Sequence, residues 1–314
     1  MKVVVTGGAG LIGSHLCAAL LAEGHQVVCV DSFLTGSKTN ISGLTTQTGF
    51  SLLEADVVDP AWTRGIEADF IYHMASPASP LDYAKYPLET LMVNSVGSKN
   101  VLDLATASGA GVLIASTSEV YGDPLETPQK ETYWGNVNSI GTRSCYDEAK
   151  RFSEALAMSY WRSKSTRVRI ARIFNTFGPH MRGRDGRVVP NFILQALSSE
   201  PLTVYGDGSQ TRSFCYVSDL VAALMVFPQR PQTIGEVINI GNPHEMTVME
   251  LAKVIIELTG SNSKIVYEPL PEDDPTQRHP DITKAGDLLG WKPEVGLREG
   301  LEKTIQWFKE LLVA

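Results

Sequence analysis

The sequence predicts a doubly wound α/β fold on a parallel sheet, followed by a smaller, discontinuous second lobe. Three observations predict it: short apolar runs recur without in/out alternation, helix-length segments separate them, and the character of the chain changes after Asn175. Strands that lack alternation are buried on both faces, the condition of a parallel sheet covered by helices.

In chain order the runs are "KVVVTG" (2–7), "QVVCVD" (26–31), "SLLEAD" (51–56), "FIYHMA" (70–75), "VLIAST" (112–117) and "RVRIARIFN" (167–175). Between them, residues 13–24, 88–108 and 144–163 carry apolar positions at helical spacing, which predicts helices. "FGPHMRGRDGRVVP" is rich in Gly, Pro and Arg and reads as a long loop, which in a compact domain is usually functional. "TVYGDGSQTRSFCYVSDL" (203–220) reads as a turn between short strands and a helix start, with Ser218 or Asp219 as its cap. Helices follow at about 247–259 and 297–312. Between those two, the acidic triplet Glu272, Asp273 and Asp274 reads as solvated surface.

Composition narrows the function classes. The chain has 314 residues, 43% of them hydrophobic, enough for a sizeable core. Its net charge of −8 offers no global basic field for nucleic acid or anionic lipid, so an anionic ligand needs a local cluster of cations. Cys17, Cys29, Cys145 and Cys215 lie far apart and read as reduced core thiols, with no metal site expected. A strand starts at once in "MKVVVTGG" and no run approaches the ~18 apolar residues of a membrane span, so a cytoplasmic protein is expected.

"TGGAGLIG" sets Gly7, Gly10 and Gly13 between the first strand and the first helix, with Leu11 and Ile12 opening that helix. Glycines permit a tight turn and close backbone approach, so a pyrophosphate can sit on the helix N-terminus. Asp31 ends the next strand 18 residues past Gly13, where a carboxylate accepts hydrogen bonds from an adenosine ribose and repels a 2′-phosphate; this points to NAD rather than NADP. Asp56 and Val57 are expected beside the adenine, and Ala75 is a further candidate contact of the dinucleotide. The expected organisation is an NAD-binding core over 1–175, to which 213–240 returns, and a substrate lobe made of 176–212 and 241–314.

"CYDEAKR" places Tyr146 and Lys150 four residues apart, on one face of a helix. An ammonium beside a phenol favours the phenolate, which predicts a lowered Tyr146 pKa and a general base for an alcohol. Together with the glycine loop and the hydroxyl-rich strand end at Thr117, this pair resembles the extended short-chain dehydrogenase/reductase family, which acts on nucleotide sugars. The resemblance covers nearly the whole chain, implies a Rossmann fold with tightly held NAD, and assigns hydride-transfer chemistry to Thr117, Tyr146 and Lys150.

Further stretches narrow it: "HMASPASP" (73–80), "STSEVYGDP" (116–124), "YWGNVNSIGTRSCYDEAKR" (133–151), "RIFNTFGP" (172–179), "GRVVPNFI" (186–193) and "PLTVYGDGSQTRSFCYVSDL" (201–220). As a set they resemble the branch of the family whose members decarboxylate UDP-glucuronate. Oxidation at C4 makes a ketone β to the C6 carboxylate; CO2 then leaves, and re-reduction gives UDP-xylose with NAD regenerated. The resemblance implies diphosphate contacts for Asn175, Arg212 and Arg278, with Arg187 near the nucleotide and Tyr205 near the uridine; by analogy with a related decarboxylase, Arg278 is expected to reach toward the sugar carboxylate as well. Arg182 and Arg184 read as solvated loop, and His73 as a strand-end residue shaping the dinucleotide pocket. Two departures from the family's pattern are the loop "SFLTGSKTN" after Asp31 and the residues of "HMRGRDGR".

Glu119 follows Ser118 where related 4,6-dehydratases carry Asp then Glu, so the acid for dehydration is absent and a carboxylate near C5 remains. Two roles stay open for Glu119: repulsion of the substrate carboxylate, or mediation of protonation at C5. The competing activities are a UDP-glucuronate 4-epimerase, a decarboxylase that releases the 4-keto pentose, and a catalytically silent NAD sensor. The resemblance also implies a homodimer through the helices near 88–108 and 144–163.

Overall fold

The computed structural model describes residues 1–270, 275 and 277–313; the acidic triplet Glu272, Asp273 and Asp274 lies outside them. The first half alternates strands and helices: β1 (Lys2–Thr6), α1 (Leu11–Ala22), β2 (Gln26–Asp31), α2 (Lys38–Ile41), β3 (Phe50–Glu54), β4 (Phe70–His73), α3 (Pro80–Lys85), α4 (Pro87–Met92), α5 (Ser98–Ser108), β5 (Gly111–Thr117), α6 (Ser144–Lys164) and β6 (Arg167–Ile173). The second half holds β7 (Thr176–Phe177), α7 (Val188–Leu197), β8 (Leu202–Tyr205), β9 (Thr211–Ser213), β10 (Cys215–Tyr216), α8 (Val217–Val226), β11 (Val237–Ile240), β12 (Glu245–Thr247), α9 (Val248–Thr259), β13 (Ile265–Glu268), β14 (Gln277–Arg278), α10 (Thr283–Leu289) and α11 (Leu297–Val313).

Seven strands form one sheet in the order β11-β6-β5-β4-β1-β2-β3, every neighbouring pair parallel. The apolar runs have the physical cause expected of them. Val3, Val5, Tyr72 and Leu113 face one core with α1 and α8, while Val4, Ile71, Val112 and Ile114 face another with α5 and α6. The strand order reverses between β1 and β4, and ligands of open α/β sheets bind outside the carboxyl ends of the strands at such a point. β11, which the sequence runs did not single out, completes the sheet by pairing with β6.

Two expectations fail locally. The helix expected over 88–108 is broken into α4, a π turn (Val93–Gly97) and α5. Asn94 donates to the Thr90 carbonyl at 2.8 Å and Ser95 to that of Leu91 at 2.6 Å, side-chain bonds that compete with the regular helical ladder. Nor does Ser218 or Asp219 cap α8: Tyr216 stands at its N-cap without a side-chain bond. Asp219 instead accepts the amides of Glu294 and Val295 at 3.0 and 2.9 Å, tying the chain before α11 to α8.

Beyond the main sheet, β9 pairs antiparallel with β12 and parallel with β14, whose register sets Arg278 beside Arg212. β8 pairs with β13, and β7 with β10.

Candidate active site

The chain turns sharply at the end of β1 because Gly7 takes φ +71, a conformation glycine adopts without a Cβ penalty. A Cβ at Gly7 would stand 2.7 Å from the backbone of Ala75, and one at Gly13 would stand 2.1 Å from the Gly7 carbonyl oxygen. Helix α1 starts from Gly10 with no side-chain cap and no acidic residue in its first turn. Its leading amides, those of Leu11, Ile12 and Gly13, are therefore left to an anion. Asp31 ends β2 and accepts Ala9 N at 2.9 Å and Phe33 N at 2.8 Å; burial raises its pKa against those two bonds. Asp56 is exposed after β3 and accepts Val58 N, while Val57 is buried where a Cβ on Gly97 would touch it. Cradle, uncapped helix and carboxylate fit a dinucleotide with a free ribose.

Thr117 ends β5, and its hydroxyl accepts Glu119 N at 3.2 Å. Tyr146 and Lys150, one turn apart on α6, are buried beside it. The Tyr146 ring stacks on Tyr83 at 5.2 Å with only 10° between planes. Lys150 donates to the Ala115 carbonyl at 2.8 Å and lies 5.8 Å from the Tyr146 ring centroid. The expected lowering of the Tyr146 pKa is not what the structure has: burial raises it, opposed by a hydrogen bond with Thr117. Burial also brings Lys150 down to about 7, against the charge of Glu154. Desolvation penalises the charged forms of both groups and sets the direction of both shifts.

Glu119 sits in the turn Ser118–Tyr121, next to the buried Ser118, and is itself the focus of a charge cluster. Its Oε2 accepts Nη2 of Arg143 at 2.7 Å and Nη2 of Arg278 at 3.0 Å. Burial works to raise its pKa, yet the two guanidiniums prevail and hold it at about 2. Arg278 is almost wholly buried, donates to the Gly122 carbonyl, and has no partner for Nε among the described residues. Arg143, immediately before α6, lies over the Tyr83 ring at 5.7 Å and so touches both the Glu119 cluster and the Tyr83–Tyr146 stack. A cavity of about 220 Å³ opens here, lined by Glu119, Arg143, Asp147, Arg278 and the strip Asn136–Asn138.

Sequence reasoning anticipated Glu119 and Arg278 but missed Arg143 and Asp147. The available signal was their position, three residues before Tyr146 and one after it, in the stretch already singled out. Arg212 is buried beside Arg278 and donates to the Pro275 carbonyl at 2.7 Å. Arg278 thus stands beside Arg212 by register and is also bonded to Glu119. Asn175 follows β6, and its carbonyl accepts Cys215 N. Arg187, at the N-cap of α7, pairs with the buried Asp185 and is close enough for its charge to act on Tyr146. Tyr205 ends β8, half-exposed, on a strand paired with β13 rather than β9. Arg182 lies in the loop, partly exposed and paired with Asp82, and Arg184 reaches the exposed Glu200. His73 is buried between the Thr6 and Ser98 hydroxyls at 2.7 and 3.1 Å.

A dinucleotide cradle joined to a Tyr/Lys/Thr centre defines a class, and the comparisons agree: residues 3–241 match the NAD dependent epimerase/dehydratase family, and the chain belongs to it. Within that class it is 54% identical over 310 residues to UDP-glucuronic acid decarboxylase 4 of Arabidopsis thaliana, covering 99% of this chain and 69% of that protein. It is 52% identical over 311 residues to UDP-glucuronic acid decarboxylase 1 of Danio rerio, covering 99% and 73%. Among solved structures, UDP-glucuronic acid 4-epimerase from Bacillus cereus, in complex with UDP-glucuronic acid and NAD, superposes with a TM-score of 0.90 at 29% identity, covering 99% of this chain and all of that one.

Proposed function

We propose that this chain converts UDP-glucuronate to UDP-xylose and CO2 through oxidation at C4, loss of the carboxylate and re-reduction at C4. The observation that carries the reading is the convergence of Arg143 and Arg278 on Glu119 beside Thr117, Tyr146 and Lys150: a carboxylate-handling group next to an alcohol-oxidising one. The full-length identity to decarboxylases supports it.

Gly7, Gly10, Leu11, Ile12, Gly13, Asp31, Asp56, Val57 and Ala75, together with Tyr146 and Lys150, would hold NAD, which when bound would supply the hydride acceptor and donor at C4. Tyr146 takes the C4 hydroxyl proton, and Thr117 shares the hydrogen bond. When CO2 leaves, the electron pair moves to the C4 oxygen, where the Tyr146 and Thr117 hydroxyls donate to the developing enolate. Arg278, whose planar fork suits a carboxylate, orients the C6 group; Asn175, Arg187, Tyr205, Arg212 and Ser118 bind the rest of the UDP-sugar. Glu119 stays ionised across the working range, which favours its action as a fixed negative charge over storage of a proton. A Glu119→Gln variant that decarboxylates at the normal rate would remove that role.

We further propose a homodimer and a cytoplasmic location. Leu88 and Met92, at α4, and Phe152 on α6 expose apolar surface on the elements expected to meet a second copy. No helix among the described residues is long and apolar enough to cross a membrane.

The test is incubation with UDP-glucuronate, with and without added NAD, followed by proton NMR and NADH absorbance. UDP-xylose without lasting NADH is expected. UDP-galacturonate would replace this reading with an epimerase, and a 4-keto pentose with accumulating NADH would mean that C4 is not re-reduced.

A further inference from the structure

Decarboxylation leaves one requirement that Thr117, Tyr146, Lys150 and Glu119 do not meet. The C5–C6 bond breaks, its electron pair passes into the C4 enolate, and C5 must then gain a proton that enters from solvent. Glu119, clamped by Arg143 and Arg278, holds none to give.

A second carboxyl group shares its cavity. Asp147 follows Tyr146 on α6, lines the same 220 Å³ space as Glu119, and is 6% exposed. Among the described residues its buried Oδ1 has no hydrogen-bond partner, which is costly for an ionised oxygen. Asp123, Asn136 and Asn138 add polar groups to a lining that also holds Gly122 and Val137, so the space can carry hydrogen-bonded water between solvent and Glu119.

We propose that Asp147 is the proton-loading group of the reaction, taking a proton from solvent and delivering it through water in this cavity, alongside the fixed charge of Glu119, to C5 of the decarboxylated sugar. The enolate collapses to the 4-keto pentose as C5 takes the proton; the Asp147 carboxylate regains one from solvent, so atoms and charge balance. Asp147 acts through the water of this cavity and is a relay residue. The proposal rests on the decarboxylase reading.

The surroundings separate the two carboxyl groups. Burial and the negative charge of Glu119, with Glu148 adding to them, push Asp147 up to about 7 against Arg143 and Arg278. Tyr83 from α3, with Cys145 and Tyr146 from the start of α6, completes the titratable groups that feel its charge. One carboxyl that stays ionised and one that keeps its proton near neutrality are the two halves of an acid/base pair.

The test uses full-length Asp147→Asn, checked for NAD content and thermal stability, in single turnover with UDP-glucuronate. Enzyme-bound NADH should form at the normal rate and persist, its decay slowed ~10²-fold or more with an increased solvent deuterium effect, as for loss of a general acid. Asp147→Glu should restore most of the decay. Normal NADH decay in Asp147→Asn overturns the proposal, while a wild-type control that makes no UDP-xylose overturns the decarboxylase reading instead. Should Asp147→Asn fail to fold, the wild type still decides: bound NADH should accumulate increasingly as pH rises through about 7, where Asp147 loses its proton. Neutralisation of Lys150, which falls in the same window, would slow NADH formation and lower that level. A level that is flat or falls with pH overturns the proposal.

Discussion

The glycine loop and the Glu119 cluster, to which the proposed reaction assigns its two ligands, are built from opposite materials. Around Gly7, Gly13 and Asp31 the work is done by backbone shape: two positions with no room for a Cβ, an uncapped helix, and a carboxylate fixed by local amides. Around Glu119 it is done by side-chain charge drawn from distant chain, Arg143 lying 24 residues away and Arg278 159. The first region should fail by sterics and the second by electrostatics, and the two failures should be separable.

The largest effect is expected at the centre between them. Tyr146→Phe should cut turnover ~10²–10⁴-fold while leaving NAD affinity unchanged by calorimetry. If NAD binding falls in step with turnover, the regions are not independent. Next comes Arg278→Met, which leaves a buried carboxylate with one of its two guanidiniums; a loss of ~3–5 kcal/mol in urea unfolding is expected, as for a broken buried pair. A variant as stable as the wild type would show that Arg143 alone suffices for Glu119. Gly13→Ala then probes the steric region: the methyl would lie 2.1 Å from the Gly7 carbonyl oxygen, so ~1–3 kcal/mol of overpacking should appear, with weakened NAD binding and the Glu119 cluster intact.

The smallest effect concerns His73, which burial holds at about 3 from an ordinary 6.5. Below 6.5 the unfolded chain takes up a proton that the folded chain refuses until about 3, so stability falls on acidification through that window. Over one pH unit its share is up to about 1.4 kcal/mol, read as the difference in melting-temperature slope between wild type and His73→Asn. Equal slopes would show that His73 is not the buried neutral imidazole described.

Legibility in the sequence follows the same division. The runs that became β1, β2, β4, β5 and β6 were readable because burial on both faces demands unbroken apolar residues. The glycine loop, Asp31, and the Tyr146–Lys150 face depend on spacings of a few to about twenty residues, which local geometry controls. The break at Val93–Gly97 was not readable, since Asn94 and Ser95 divert the helix only once Ser76 and the neighbouring turns are in place.

By itself, then, the sequence determined the sheet, the dinucleotide cradle and the residues of the Tyr/Lys/Thr centre, all written in periodicity and short spacing. Only the tertiary structure decided who partners Glu119, that Arg278 stands beside Arg212, and that Asp147 shares a cavity with Glu119. It also decided the direction of the Tyr146 shift, where burial outweighs the hydrogen bond with Thr117 and the charge of Arg187. The reason is physical: the pKa of a charged group depends on its desolvation and its neighbours, and neither exists until distant segments are packed together.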